Sequence, residues 1–159
     1  MNLQDLTQAA AIVSSLAVVV SLIYASVQLR HNTRALMATT YNAVTSNSLA
    51  LLSPMTGSPE FAEFLHRAHA QPDALMPAER MRFDAVMLTV FRHWDNLYYQ
   101  FRSGTLDREM WDIYERTLTR WLAQESWAKW FLDNADSCSD SLRALVHDRL
   151  AGRDAAGRG

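Results

Sequence analysis

Apolar and polar positions change their rhythm once along the chain. Residues 9–29, AAAIVSSLAVVVSLIYASVQL, form an almost unbroken apolar run, and Arg30, His31 and Arg34 follow within five positions. Between Asp5 and Arg30 lie 24 residues without a formally charged side chain. A helix rises about 1.5 Å per residue, so roughly 20 residues cross a ~30 Å hydrocarbon layer. Ile12, Val13, Leu16, Val20, Leu22, Ile23 and their like each favour insertion by roughly 0.3–0.6 kcal/mol. Four serines, Tyr24 and Gln28 offset part of that sum. A cleaved signal peptide needs a basic start and a shorter apolar core. This chain starts MNLQDL, with an acid and no base. A buried core helix is the other alternative. The pattern predicts a membrane helix over 9–29 that continues as a juxtamembrane helix to about Leu52.

Past residue 53 the period becomes that of amphipathic helices. Ser58-Pro59-Glu60 reads as an N-cap with proline at the first helical position, opening PEFAEFLHRAHA. Pro77 opens a longer helix that Gly104 closes, with Phe83, Met87, Val90, Trp94, Leu97 and Phe101 at 4-3-4-3-4 spacing. Leu106 and Asp107 read as hydrophobic staple and N-cap, with Trp111 at the stapled position. That helix runs to about Gln124, carrying Trp111, Tyr114, Leu118, Trp121 and Leu122 on one side and i,i+4 pairs Arg108–Asp112 and Asp112–Arg116 on the other. Short helices follow around 127–134 and 140–150. No strand alternation stands out. The expectation is an all-α protein: an N-terminal transmembrane and juxtamembrane helix over 1–52, a cytoplasmic bundle of about five helices over 53–151, and a flexible tail over 152–159.

Composition alters this picture little. Net charge is −2 and the bases alternate with acids, which argues against a nucleic-acid partner. The lone Cys138 cannot form an internal disulfide and suits a reducing compartment. Arg30, His31 and Arg34 flank the apolar run on its C-terminal side, and the N-terminal flank carries Asp5. The positive-inside rule then sets the N-terminus outside and the bundle in the cytoplasm. The expected location is the bacterial inner membrane, with the lipid bilayer as first partner.

The junction I-Y-x-x-x-Q-L-R-x-N-T-R, here Ile23, Tyr24, Gln28, Leu29, Arg30, Asn32, Thr33 and Arg34, resembles that of a family of small uncharacterised bacterial single-pass membrane proteins. NLYYQFRSGTLDREMW, residues 96–111, is similar to the same family, and the likeness covers most of the chain. It implies a single-pass membrane protein with a helical domain, and it brings no activity with it. One departure is Met76, where the family would place a capping Ser or Thr before Pro77.

Two heptad rows cross the junction. Ser14, Ser21, Gln28, Ala35 and Asn42 form one; Val18, Ala25, Asn32, Thr39 and Ser46 form the other. Small residues permit close helix approach in lipid, and a 3.5-residue period gives a left-handed crossing. The stripe is a candidate packing face for a homo-oligomer. The alternative is chance in a segment rich in Ala, Ser, Thr and Asn. No ring of charges accompanies it, which weighs against a selective pore.

Chemistry is sparse. Glu63-x-x-His66, with His69 beyond it, lacks the second motif and the extra carboxylates of a di-iron bundle. No metal or cofactor is expected. Asp95 lies in the row Leu88, Phe91, Asp95, Tyr98, beside the apolar face. A structural ion pair with Arg92, or else with Arg102 or an arginine of the next helix, outweighs acid–base work with His93 and Tyr98. No nucleophile elbow or phosphate-binding glycine loop is present. Five tryptophans serve a small core, or else Trp127, Trp130 and Phe131 form an exposed partner patch. The expected function is a membrane-anchored interaction, scaffold or regulatory protein that self-associates through its anchor. The alternative is an accessory subunit of a larger membrane complex; an enzyme ranks lower.

Overall fold

The computed structural model describes residues 3–156, and every regular element among them is helical. Six α-helices follow in order: α1 Leu3–Gly57, α2 Pro59–Ala70, α3 Pro77–Arg102, α4 Arg108–Leu122, α5 Glu125–Asp133 and α6 Asp140–Ala156. Short 3₁₀ turns, Pro72–Ala74 and Ala135–Ser137, link α2 to α3 and α5 to α6. The chain is all-α, as its periodicity predicts.

Boundaries follow local chemistry. The Ser58 hydroxyl accepts the Phe61 N–H at 3.1 Å and caps α2 ahead of Pro59. Asp107 does the same for α4, taking the Met110 N–H at 2.8 Å, and the stapling pair Leu106 and Trp111 is buried. The Met76 side chain has no oxygen to offer the start of α3. Only the return half of a capping box forms there, from the Met76 N–H to Glu79 Oε2 at 3.0 Å. Gly104 ends the α3 connection at φ +76°, a left-handed conformation that suits glycine.

Contacts divide the chain into Met1–Thr39 and Thr40–Gly159. In the first unit the described apolar side chains from Ile12 to Leu29 stay 47–68 % exposed, so none of the described chain covers them. Among the described residues one helix is long and apolar enough to cross a membrane. Its hydroxyls turn inward on the backbone: Ser21 donates to the Ala17 carbonyl and Ser26 to the Leu22 carbonyl, both at 2.8 Å. Thr33 and Thr39 donate likewise to Leu29 and Ala35 at 3.0 Å.

The second unit is the helical domain. α3 supplies its axis, burying Phe83, Met87, Val90, Phe91, Trp94 and Leu97. Around it pack Phe64, Leu65 and Ala68 of α2, Met110, Trp111, Leu118 and Leu122 of α4, and Trp127, Trp130 and Phe131 of α5. Leu142, Val146 and Leu150 complete the core from α6, and Cys138 is buried before it. Burial pushes the Cys138 thiol up from its ordinary value, which favours the protonated form.

Two expected boundaries shift. The domain begins at Thr40 rather than after Leu52, because the end of α1 carries Val44, 1 % exposed, and Leu51 into the core. α6 runs past Leu150 into the segment read as a flexible tail, and Arg153 Nη1 donates to the Leu122 carbonyl at 3.0 Å. A basic side chain at a carbonyl in the last turn of α4 satisfies an acceptor that the helix leaves open. Of the two surface pairs expected on α4, Arg108–Asp112 forms at 3.0 Å, while no ion pair joins Asp112 to Arg116.

Candidate functional site

A groove of about 980 Å³ opens on the helical domain between the end of α1, α2 and α3, with Trp121 and Trp127 at one side. Its walls are mostly apolar: Leu51 and Met55 from α1, Phe61 and Leu65 from α2, Val86 and Val90 from α3. This size lies at the upper end of small-molecule sites, which run about 300–1,000 Å³. Pro54 also lines it. Proline has no N–H to give the carbonyl four residues back, so the regular donor to Ala50, another lining residue, is missing.

Two histidines of the groove are held in place by hydroxyl groups. The Ser48 hydroxyl has three neighbours: the Val44 carbonyl at 2.9 Å, His93 Nε2 at 3.1 Å and the Tyr114 hydroxyl at 2.9 Å. All three are satisfied when Ser48 donates to Val44 and accepts from Tyr114 and from the His93 Nε2–H. His69 has Nδ1 3.0 Å from the Ser126 hydroxyl, stacks on Trp127 with ring centres 5.0 Å apart, and meets Phe83 edge-on. His69 and His93 both line the groove. Burial holds both imidazoles below the ordinary histidine value, and repulsion from His66 adds to the effect at His69. Both are neutral at pH 7.

The fixed charge of the groove comes from Arg82 and Arg92 on α3, and no Asp or Glu lines it. The Arg82 guanidinium lies over the rings of Phe61 and Phe64, 4.8 and 4.9 Å from their centres. Elsewhere Arg67, Arg80, Arg108, Arg143 and Arg149 each sit against a carboxylate. Among the described residues neither Arg82 nor Arg92 has such a partner. Chemically, the arrangement can sequester an apolar body and meet a negative head.

The residues singled out in the sequence fall into place unevenly. The patch Trp127, Trp130 and Phe131 is not a surface: the three are 8, 6 and 0 % exposed. Trp130 Nε1 donates to Asp84 Oδ1 at 2.8 Å, which lets the indole enter the core with its polar atom satisfied. The pair Asp95–Arg92 does not form. Asp95 instead accepts the Ser139 N–H at 2.9 Å and the Ser139 hydroxyl, tying α3 to the residue that starts α6. Ser139 supplies two donors that satisfy the carboxylate without a cation. His93, Asp95 and Tyr98 turn to separate neighbours, Ser48, Ser139 and Trp111 respectively.

The stripe residues Ser14, Val18, Ser21, Ala25, Gln28, Asn32, Ala35 and Thr39 are all exposed, as are Arg30, His31 and Arg34. Glu63 and His66 face solvent on α2, and no group of three or more potential metal ligands occurs among the described residues. Ser48 and Ser126 escape the sequence reading altogether, and Tyr114 enters it only as part of the apolar side of α4. A signal existed for the first: Thr40, Val44, Ser48 and Leu51 follow a 4-4-3 spacing, and all four lose exposure. No family model, curated protein or solved structure matches the chain.

Proposed function

We propose that this chain is a membrane-anchored helical interaction module. Residues 9–29 cross the bacterial cytoplasmic membrane with the N-terminus outside, the domain from Thr40 onward lies in the cytoplasm, and the groove is its binding face. Copies associate through the small-residue stripe of the anchor. One observation carries the reading: the apolar surface from Ile12 to Leu29 is left open by the described chain and ends at Arg30, His31 and Arg34. Such a surface needs an apolar solvent, and the basic flank favours the cytoplasmic side.

Topology reporters test it. With a fluorescent protein fused to the C-terminus, the membrane fraction should glow and remain sedimentable after alkaline carbonate washing. Alkaline phosphatase at the same site, active only outside the cytoplasm, should stay silent. A soluble product, or an active phosphatase fusion, would refute the placement.

A further inference from the structure

We infer that the groove of the helical domain is a binding site for a long-chain fatty carboxylate, with its head at Arg92 and Asn96 and its tail along the apolar wall. The inference rests on the membrane reading above in one respect: the bilayer is the reservoir from which such a molecule arrives.

Three features point to this ligand class. The lining holds two arginines and no carboxylate, so the field in the groove favours an anion. Arg92 is exposed, meets no acid, and stands one turn before Asn96, another lining residue. A planar guanidinium beside a side-chain amide offers parallel donors to the two oxygens of a carboxylate. The second feature is length. Arg92 and Arg82 are separated by ten positions on α3, about 15 Å along the helix axis at 1.5 Å per residue. Val86 and Val90 lie between them, with Leu65 also in the lining, so the trough behind the head is mostly apolar, interrupted by Thr89, His66 and His69. The third is the Arg82 end, where the guanidinium lies over the rings of Phe61 and Phe64, so its charge is engaged by ring faces and Arg92 is left as the head group's cation. An α-helix with side chains is about 10–12 Å across. An acyl chain is far thinner, and it can reach the fully buried Met87 at the base of the lining.

The test uses the full chain reconstituted in phosphatidylcholine nanodiscs and titrated with dibromostearate, whose bromines quench tryptophan. Trp121 and Trp127 line the groove. Quenching by the acid should saturate, and it should be much weaker for the methyl ester, which has lost the charge. Arg92→Gln should raise the half-saturating concentration roughly tenfold, as loss of a charged hydrogen bond does. Ala85→Phe with Thr89→Phe, two exposed lining positions, should remove the saturable phase without touching the core. Linear quenching that is equal in the filled variant means partition into lipid only and overturns the site. Equal binding of acid and ester overturns the anionic head. Displacement by an acidic amphipathic peptide at lower concentration assigns the groove to a protein partner and overturns the fatty-acid assignment. Co-elution of the chain with the discs is read separately. A chain that elutes outside them contradicts the anchor, and the titration is then read on that fraction in its own right.

Discussion

At the scale of single residues, the domain depends on polar atoms that accompany aromatic rings into the core. Trp130 can be buried because Asp84 receives its N–H. Asp84→Ala should therefore destabilise the domain by about 1–2 kcal/mol, the cost of orphaning a buried donor. Asp84→Asn keeps an acceptor and should stay close to the parent. Urea unfolding of the full chain in nanodiscs, followed by tryptophan emission, separates the two. The buried histidines add a dependence on pH. Their folded values lie below the ordinary 6.5, so as pH falls the unfolded chain takes up protons first. Stability is thus full above about pH 6.5 and declines as pH drops through that value toward the lower folded values. Replacing His69 and His93 together with glutamine should flatten the melting temperature between about pH 6.5 and pH 5, above the range where most carboxylates titrate. These atoms were hidden in the sequence. Asp84, Ser126 and Ser139 are ordinary polar residues until the fold brings a partner from 44 to 57 positions away.

At the scale of elements, much was legible. The caps at Ser58 and Asp107, the glycine stop at Gly104 and the apolar row of α3 are all local, and local chemistry survives folding. Phe101 is the exception on that row: it is half-buried, stacked on Trp111 at 5.3 Å. The end of α1 was illegible for a different reason. Around Val44 the chain reads YNAVTSNS, with one bulky aliphatic residue in eight, and its place in the domain appears only in the fold, where Val44 is buried and Ser48, one turn on, meets His93 of α3 and Tyr114 of α4. Val44→Ala measures that contribution. If the stretch from Thr40 belongs to the domain, the truncation should cost about 1–2 kcal/mol in the same unfolding assay, since a fully buried branched side chain leaves a cavity. A change within error would return this stretch to the anchor. The same tertiary logic extends α6, where Arg153 reaches across to α4 at a point that composition marked only as Gly- and Ala-rich.

At the scale of the whole molecule, the proposed self-association depends on residue size along the anchor. Ser21→Leu with Ala25→Leu should reduce oligomers in native mass spectrometry from mild detergent while leaving membrane insertion intact. Ser21→Ala should change neither. Unaltered oligomers in the leucine variant would move the contact off the stripe. The serine and threonine hydroxyls of α1 sharpen this expectation. Ser21, Ser26, Thr33 and Thr39 already spend their protons on carbonyls of the preceding turn. Ser21 and Ser26 lie within the apolar run, and neither turns its hydroxyl hydrogen toward a surrounding hydrocarbon. A polar-looking sequence is thereby made compatible with lipid at little desolvation penalty. A neighbouring helix would find a smooth, shallow furrow there, with recognition written in shape and hardly at all in charge.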